Sequence, residues 1–168
     1  MLRKKRGVDD VALSSFNVTH LLGMGAFGRV FLAELPSTGK KYAIKTIRKD
    51  RLVEKREAIK SVMIEFQVLL SADNPFLCNM DYFFMTTERM YFCMDFISGG
   101  SIERVLKVQE VFPEERIKFY AMQMIIALDI LHKNNIMHRD IKPDNLMIDE
   151  AGYLKVIDFG LARVLTPN

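Results

Sequence analysis

The feature that most constrains this chain is a polar run over 138–145, His-Arg-Asp-Ile-Lys-Pro-Asp-Asn, which is followed thirteen positions later by Asp158-Phe159-Gly160. The run and the triplet place a carboxylate at Asp140, an amide at Asn145 and a second carboxylate at Asp158 in a fixed order. Phosphoryl transfer needs little covalent chemistry from a protein, but it needs a carboxylate that orients the attacking hydroxyl and oxygen ligands for magnesium. The order therefore predicts transfer of the ATP γ-phosphoryl group to an alcohol.

Each polar residue of this set has one role in that chemistry. Asp140 would accept the proton of the substrate hydroxyl, or at least orient that hydroxyl. Lys142 would neutralise the charge that develops on the transferring phosphoryl group. Asn145 and Asp158 would hold magnesium, and Phe159 would pack beneath Asp158 and set its orientation. A solvated loop explains any one of these residues, but it does not explain the whole set.

The composition excludes several other classes of protein. A chain of 168 residues with 49% hydrophobic and 27% charged residues is typical of one soluble globular domain, or of part of one. A net charge of +3 gives no overall basic field, so we expect no nucleic-acid partner. We also expect no membrane span and no secretory signal, because no apolar run approaches about 18 residues. Two cysteines in apolar surroundings, Cys78 and Cys93, predict reduced thiols in a cytoplasmic protein, with the nucleus as the alternative location.

The glycine pattern Gly23-Met24-Gly25-Ala26-Phe27-Gly28 is weak evidence alone, because dinucleotide-binding folds use the same spacing. In those folds the third glycine opens a helix. Here Gly28 leads into the strand-like stretch 29–35, so the glycines lie between two strands. There they would let backbone N–H groups approach phosphate oxygens. The alternative is a glycine-rich hairpin that binds no ligand.

A lysine and a glutamate in the first half of the chain form a candidate ion pair. Lys45 lies on the third predicted strand among apolar neighbours, and a buried ammonium needs an anionic partner. Glu65 lies within the predicted helix 59–70, where it can point inward to pair with Lys45. The apolar stripe predicted for this helix consists of Ile59, Val62, Met63, Phe66, Leu69 and Leu70. The alternatives are a lysine that is solvated at its tip and an exposed glutamate at the edge of the helix.

The pattern of apolar residues predicts a strand-rich first half and a helical second half, joined at Ser98-Gly99-Gly100. A lead-in over 1–15 precedes a first lobe over 16–97 and an incomplete second lobe over 98–168. Alternation and turn signals predict strands over 16–23, 29–35, 41–47, 80–85, 90–96, 146–148 and 154–157. A second helix is predicted from Pro113, which suits the first helical position.

Together these motifs resemble the eukaryotic protein kinases, since the glycine pattern, Lys45, the run 138–145 and Asp158-Phe159-Gly160 fall in that family's order and spacing. Lys142, two positions after Asp140, resembles the serine/threonine class rather than the tyrosine class. Further short stretches are similar to the AGC group, namely Phe16, Arg48-Lys49-Asp50, Pro75-Phe76-Leu77, Ser98-Gly99-Gly100 and Gly152-Tyr153-Leu154-Lys155.

The resemblance implies an α+β, bilobal fold with a five-stranded antiparallel sheet and one helix in the first lobe. It implies ATP and Mg²⁺ as cofactors and a protein substrate with a serine or threonine acceptor, and it leaves the oligomeric state open. The residues that it places at the nucleotide are Leu22, Gly23, Met24, Gly25, Ala26, Phe27, Gly28, Val30, Ala43, Lys45, Met94, Asp95, Ile97 and Met147. In this set Met94 is the gatekeeper, the stretch 95–97 is the hinge at the adenine edge, and Val30, Ala43 and Met147 enclose the ring. A buried regulatory spine is expected from Leu69, Met80, His138 and Phe159.

Two departures from the family pattern leave alternatives open. Ser101 stands where AGC kinases usually carry an acid, which weakens the expectation of arginine-rich substrates. The family also continues with an activation segment, an Ala-Pro-Glu motif and further helices, whereas this sequence has ten residues after Asp158. The alternatives to an active kinase are therefore a nucleotide-binding regulatory fragment without transferase activity, and an unstable truncated product.

Overall fold

A computed structural model describes residues 11–25, 28–53 and 56–165. The chain divides into two compact units. The first unit comprises Met1–Lys60, Leu69–Ser71 and Asn79–Phe96, and the second comprises Ser61–Val68, Ala72–Cys78 and Ile97–Asn168.

A five-stranded antiparallel sheet forms the first unit, which confirms the predicted sheet. Its strands run in the spatial order β1-β2-β3-β5-β4. The strand bounds are β1 Asn17–Met24, β2 Gly28–Leu35, β3 Lys40–Arg48, β4 Met80–Met85 and β5 Arg89–Asp95. Each strand lies within two residues of its predicted position, because period-two alternation of apolar side chains is a strong strand signal.

One face of this sheet is the core of the first unit. Aromatic rings from different strands meet there edge to face, with Phe16 5.4 Å from Tyr42 and 5.6 Å from Tyr82 between ring centroids. Such contacts add to the free energy of burial alone. The buried residues of this cluster are Phe16, Ala33, Leu35, Tyr42, Ile44 and Cys93.

Two helices follow β3, a short α1 over Asp50–Val53 that was not predicted and α2 over Arg56–Ser71. The predicted apolar stripe of α2 is partly wrong, because Ile59 and Met63 are 42% and 50% exposed. The buried side of the helix instead runs through Ala58, Val62, Glu65, Leu69 and Ala72 at steps of three and four. Glu65 therefore points inward, as the sequence analysis expected.

The second unit contains two helices, α3 over Ile102–Gln109 and α4 over Glu114–Lys133. Its short strands pair as β6 Ile136–Met137 with β9 Arg163–Val164, and as β7 Leu146–Ile148 with β8 Leu154–Val156. The predicted β7 is confirmed residue for residue. Helix α3 was not predicted; it begins after Ser101, whose hydroxyl accepts the Arg104 N–H at 3.2 Å as an N-cap. Pro113 is the N-cap of α4 rather than its first helical residue.

Helix α4 buries one side and exposes another. Gln123, Ala127 and Leu131 are buried, whereas Met122 and Ile125 are 58% and 61% exposed. None of the helices in the described part of the chain is both long and apolar enough to cross a membrane.

Candidate active site

The imidazole of His138 fixes the start of the polar run. Its side chain is 2% exposed, its Nε2 lies 3.0 Å from the carbonyl oxygen of Ile157, and its Nδ1 accepts the Asp140 N–H at 3.3 Å. These two bonds fit a neutral ring that carries its proton on Nε2. Burial lowers the pKa of His138 and outweighs the Ile157 carbonyl, Asp158 and Asp140, which act in the other direction. A neutral imidazole therefore joins the run to the strand that precedes Asp158.

Asp140, Lys142 and Asn145 meet in one hydrogen-bonded group. Lys142 Nζ lies 2.8 Å from Asp140 Oδ2, and Asn145 Nδ2 donates to the same oxygen at 2.8 Å. Asn145 Nδ2 also donates to the Asp140 carbonyl oxygen at 2.9 Å. The short 3-10 turn Pro143–Asn145 brings the amide back to the aspartate, so the four-residue spacing has a direct structural reason.

These contacts set the charges of the group. The hydrogen bond from Lys142 lowers the pKa of Asp140 and outweighs desolvation, which acts in the other direction; the hydrogen bond from Asn145 lowers this pKa to a smaller extent. The same bond raises the pKa of Lys142. Asp140 is therefore a carboxylate and Lys142 an ammonium at neutral pH.

Asp158 is positioned by the residue before it and by the glycine after it. The Ile157 N–H donates to the Asn145 carbonyl oxygen at 2.9 Å, and the Gly160 N–H donates to Asp158 Oδ1 at 3.2 Å. A Cβ at Gly160 would lie 3.1 Å from Asp158 Oδ1 and 3.9 Å from Glu65 Oε2. A side chain at this position would therefore crowd the Asp158 carboxylate.

Two residues of the site have a backbone conformation that the sequence did not indicate. Arg139 has φ 65° and Asp158 has φ 57°, a left-handed region that costs a non-glycine residue about 1–3 kcal/mol. Arg139 Nε donates to the Leu161 carbonyl oxygen at 2.8 Å, which holds the strained segment against the end of the triplet. Strain of this kind concentrates at functional sites. Aspartate adopts this region more readily than most residues, but arginine does not, so the residue type gives no signal at Arg139.

Phe159 and Glu65, two further residues of the predicted site, are buried. Phe159 is fully buried, and its ring lies 5.2 Å from that of His138 between centroids. The four residues expected to form the spine are all buried, namely Leu69, Met80, His138 and Phe159. Glu65 is 3% exposed. Its pairing with Lys45 would join the two units and stays a prediction.

The nucleotide residues of the first unit share one face of the sheet. Val30 is opposite Lys45 on β2 and β3, and Ala43 is opposite Met94 on β3 and β5. Because successive side chains of a strand alternate between faces, these four lie on the side opposite the core cluster. All four are partly exposed. The face thus presents an apolar surface with one ammonium, which suits an aromatic ring that carries phosphates.

The glycine segment lies at the end of this face. The Gly25 N–H donates to the Gly28 carbonyl oxygen at 2.9 Å and narrows the turn between β1 and β2. A Cβ at Gly28 would lie 1.6 Å from the Thr46 carbonyl oxygen, whereas a Cβ at Gly23 would meet nothing within 4 Å. Glycine is therefore required at position 28 by strand packing, while Gly23 borders open space that a phosphate can enter. Ala26 and Phe27 lie outside the described residues, and Leu22 and Met24 are exposed.

A cavity of 330 Å³ also borders the glycine segment, but it is not on the Lys45 face. Its lining includes Thr46, which alternates with Lys45 and so points to the opposite side of β3. The other lining residues are Met24, Gly25, Gly28, Arg29, Arg48, Arg51 and Arg89. This cavity therefore does not coincide with the predicted nucleotide residues on the Val30–Lys45 side.

The other predicted nucleotide residues are placed as follows. Asp95 is the last residue of β5, and its carboxylate lies 2.6 Å from Lys40 Nζ. In the second unit, Ile97 is buried and Met147 is half-buried at the centre of β7. Met147 pairs with Lys155 and forms an isolated bridge with Ser101.

The oxygen atoms of the second unit fit a magnesium ion that arrives with phosphates. Magnesium in such sites takes one or two carboxylates and completes its shell with water and phosphate oxygens. Asp158 offers a carboxylate at the end of β8. Among the described residues, the Asn145 side chain makes both of its hydrogen bonds through Nδ2, so its Oδ1 is the atom that can face a cation. These oxygen atoms would hold a metal only together with the phosphates that arrive with it, as phosphoryl transfer requires.

Comparison with known proteins leads to the same family. Residues 16–168 match the family described as Protein kinase domain. The chain is 36% identical over 156 residues to a probable serine/threonine-protein kinase of Dictyostelium discoideum, which covers 93% of this chain. It is 39% identical over 157 residues to the RAC serine/threonine-protein kinase of Drosophila melanogaster, and 39% identical over 153 residues to the human RAC-beta serine/threonine-protein kinase. These two matches cover 94% and 91% of this chain.

The chain spans 34%, 26% and 32% of the lengths of these three relatives. The family match covers the sheet, the catalytic run and the Asp-Phe-Gly triplet in one continuous stretch. The predicted resemblance is thereby confirmed, including its AGC-like character. The chain therefore belongs to the protein kinase domain family and is similar to the serine/threonine kinases of the AGC group.

Proposed function

We propose that this protein is a serine/threonine protein kinase, which transfers the γ-phosphoryl group of ATP to a hydroxyl of a protein substrate. The observation that carries the proposal is the group formed by Asp140, Lys142 and Asn145, in which one carboxylate oxygen accepts from both neighbours at 2.8 Å. A structural loop would not need two polar side chains directed at one carboxylate oxygen. A phosphotransfer site needs this arrangement, because its catalysis rests on positioning and on charge stabilisation.

The role of Asp140 follows from its low pKa. A carboxylate whose pKa is lowered by an ammonium binds a proton weakly, so it is a poor base for an unactivated alcohol. It can still accept a hydrogen bond from the substrate hydroxyl and direct the oxygen lone pair toward phosphorus. We therefore assign Asp140 mainly an orienting role. The proton of the substrate hydroxyl moves to Asp140 late, as the phosphoryl group is transferred.

Lys142 and the metal ligands serve charge stabilisation. The Lys142 ammonium, held at the Asp140 carboxylate, is positioned to offset negative charge on the transferring group. Asn145 Oδ1 and Asp158 would hold magnesium, which when bound neutralises the phosphate oxygens. In the first unit, Lys45 and the backbone of the glycine segment would bind the phosphates, and Val30, Ala43 and Met94 would contact the adenine ring.

The acceptor class is supported by Lys142 and by the names of the relatives, which are serine/threonine kinases. Ser101 caps helix α3 and supplies no carboxylate, so we propose no requirement for arginine-rich substrates. We further propose a cytoplasmic location, without nucleic-acid or membrane partners, from the composition and the net charge of +3.

Thermal unfolding with and without Mg-ATP, followed by phosphate transfer to a generic protein substrate, tests the proposal. Mg-ATP at about 100 times its dissociation constant should stabilise a true site by about 2.7 kcal/mol. Lys45→Met and Asp158→Ala should abolish transfer, and wild-type activity in either variant would refute the assignments. A stability shift without transfer selects the regulatory fragment, and a chain without cooperative unfolding selects the unstable product.

A further inference from the structure

A lysine and two aspartates from three strands of the first unit form an ion-paired group, which we call the Lys40 clamp. Its members are Lys40, Asp81 and Asp95. Lys40 Nζ lies 2.7 Å from Asp81 Oδ2 on β4 and 2.6 Å from Asp95 Oδ1 at the end of β5. The Tyr42 hydroxyl donates to the same oxygen of Asp81 at 3.2 Å, and the Lys40 ammonium lies 5.1 Å from the centre of the Tyr42 ring. One cation thus compensates two carboxylates.

The sheet departs from regular pairing to build this clamp. Met80 is opposite Met94 and Tyr82 is opposite Cys93, so Asp81 is the extra residue of a β-bulge. Bulges redirect side chains and recur near active sites. Here the bulge brings the Asp81 carboxylate to Lys40, directly beside the last residues of β5.

The clamp is more than an exposed surface pair. The side chains of Asp81 and Asp95 are each 25% exposed, and that of Lys40 is 45% exposed. Among the described residues, no aligned hydrogen bond reaches the buried Oδ1 of Asp95, so the nearby ammonium is what compensates its charge. Partial burial alone would lower the pKa of Lys40, but the bonds to the two carboxylates outweigh it and raise that pKa. Removal of Lys40 would take the nearby ammonium away from the partly buried Asp95 carboxylate, which is costly.

Asp95 connects the clamp to the nucleotide face. Its side chain lies on the Tyr42 side of the sheet, whereas the side chain of Met94, one residue earlier, lies on the Lys45 side. The chain leaves β5 at this point, where the Phe96 N–H donates to the Lys41 carbonyl oxygen at a long 3.4 Å. The pairing of β3 with β5 therefore ends in a long hydrogen bond where, under the proposed function, the backbone would meet the adenine edge.

We propose that Lys40 is a positioning residue for adenine, which acts through Asp95 to fix the backbone at the end of β5. The inference rests on the proposed function and adds a residue on the far side of the sheet from the nucleotide. It predicts a selective loss: the purine should bind more weakly, while the phosphates, which would contact Lys45 and the glycine segment, should bind as before.

Isothermal titration calorimetry of the whole chain tests this selective loss with two probes. Adenosine measures binding of the ring, and magnesium tripolyphosphate measures binding at the phosphate subsite. Lys40→Met should weaken adenosine binding about tenfold and leave tripolyphosphate binding within about twofold, since small displacements of positioning groups have effects of this size or larger. Lys40→Arg should keep most of the affinity. Lys41→Met, at the neighbouring exposed lysine, is the matched control and should bind both probes like the wild type.

Unchanged adenosine binding in Lys40→Met would overturn the inference, and so would an equal loss of both probes. If Lys40→Met does not unfold cooperatively, Asp95→Asn answers the same question, because it keeps the shape and removes the clamped charge. It should weaken adenosine about fivefold without affecting tripolyphosphate, and equal binding would again overturn the inference. A wild-type chain that binds neither adenosine nor Mg-ATP would instead overturn the proposed function.

Discussion

Asn145 donates both to the carboxylate and to the backbone carbonyl of Asp140, at 2.8 and 2.9 Å. The amide thereby fixes the orientation of the aspartate and leaves its own oxygen for a cation. Asn145 is buried, with 6% of its surface exposed, and this burial makes the arrangement rigid. Under the proposed function, Asn145 would link the orientation of the substrate hydroxyl to the position of the metal.

Asn145→Ala should reduce both stability and turnover. The buried carbonyl of Asp140 loses its donor, which costs about 1–3 kcal/mol in the free energy of unfolding. The loss of a metal ligand and of an orienting bond should lower kcat about 10²–10³-fold. Chemical denaturation and steady-state kinetics measure the two effects. A variant with wild-type kcat would show that the amide is only structural.

Lys142→Ala should raise the pKa of Asp140 toward that of an ordinary aspartate. The lysine supplies the largest contribution to the lowered pKa of this carboxyl group. A ¹³C NMR titration of the Asp140 carboxyl carbon reads the change directly, and Lys142→Arg should retain the low pKa. An identical titration curve in wild type and Lys142→Ala would disprove the pairing in solution.

His138 should make the chain less stable at mildly acidic pH. Its pKa is lowered by folding, so the unfolded chain binds this proton at a higher pH than the folded chain does. The free energy of unfolding should therefore fall as the pH drops below about 6.5, the ordinary pKa of histidine, until the folded ring is also protonated. Urea denaturation at a series of pH values measures this slope. His138→Tyr should reduce the slope, whereas substitution of the exposed His132 by Asn should leave it unchanged.

Gly28→Ala and Gly23→Ala should differ sharply in stability. The new methyl group at position 28 would lie 1.6 Å from the Thr46 carbonyl oxygen, while the one at position 23 would enter open space. We expect Gly28→Ala to cost about 1–3 kcal/mol or more and Gly23→Ala to stay within about 0.5 kcal/mol of wild type. Thermal unfolding without nucleotide compares the two variants. Equal melting temperatures would contradict the described packing of β2 against β3.

Much of the fold follows from patterns along the chain, because strands and their order depend on local alternation and on turn residues. Helix α3 was missed because it is short: its eight residues, Ile-Glu-Arg-Val-Leu-Lys-Val-Gln, cover only about two turns of helical spacing. The buried stripe of α2 was misplaced at Ile59 and Met63, because apolar residues at helical spacing do not reveal which of them meet the rest of the protein.

The catalytic group was predictable for a related reason. Asp140, Lys142 and Asn145 lie within six residues, so one tight turn brings them together. The Lys40 clamp joins residues from three strands and depends on a bulge, which no local pattern encodes. The positive φ value of Arg139 likewise results from tertiary constraints rather than from residue type.

Asp140→Asn tests the central claim most directly, because it keeps the shape of the side chain and removes the charge that orients the hydroxyl. Phosphate transfer from Mg-ATP to a protein substrate and the binding of Mg-ATP should be measured on the wild type and the variant together. The account predicts transfer by the wild type, an about 10²–10⁴-fold lower rate in the variant and Mg-ATP affinity within about threefold of wild type. A variant that transfers phosphate at the wild-type rate would contradict the account.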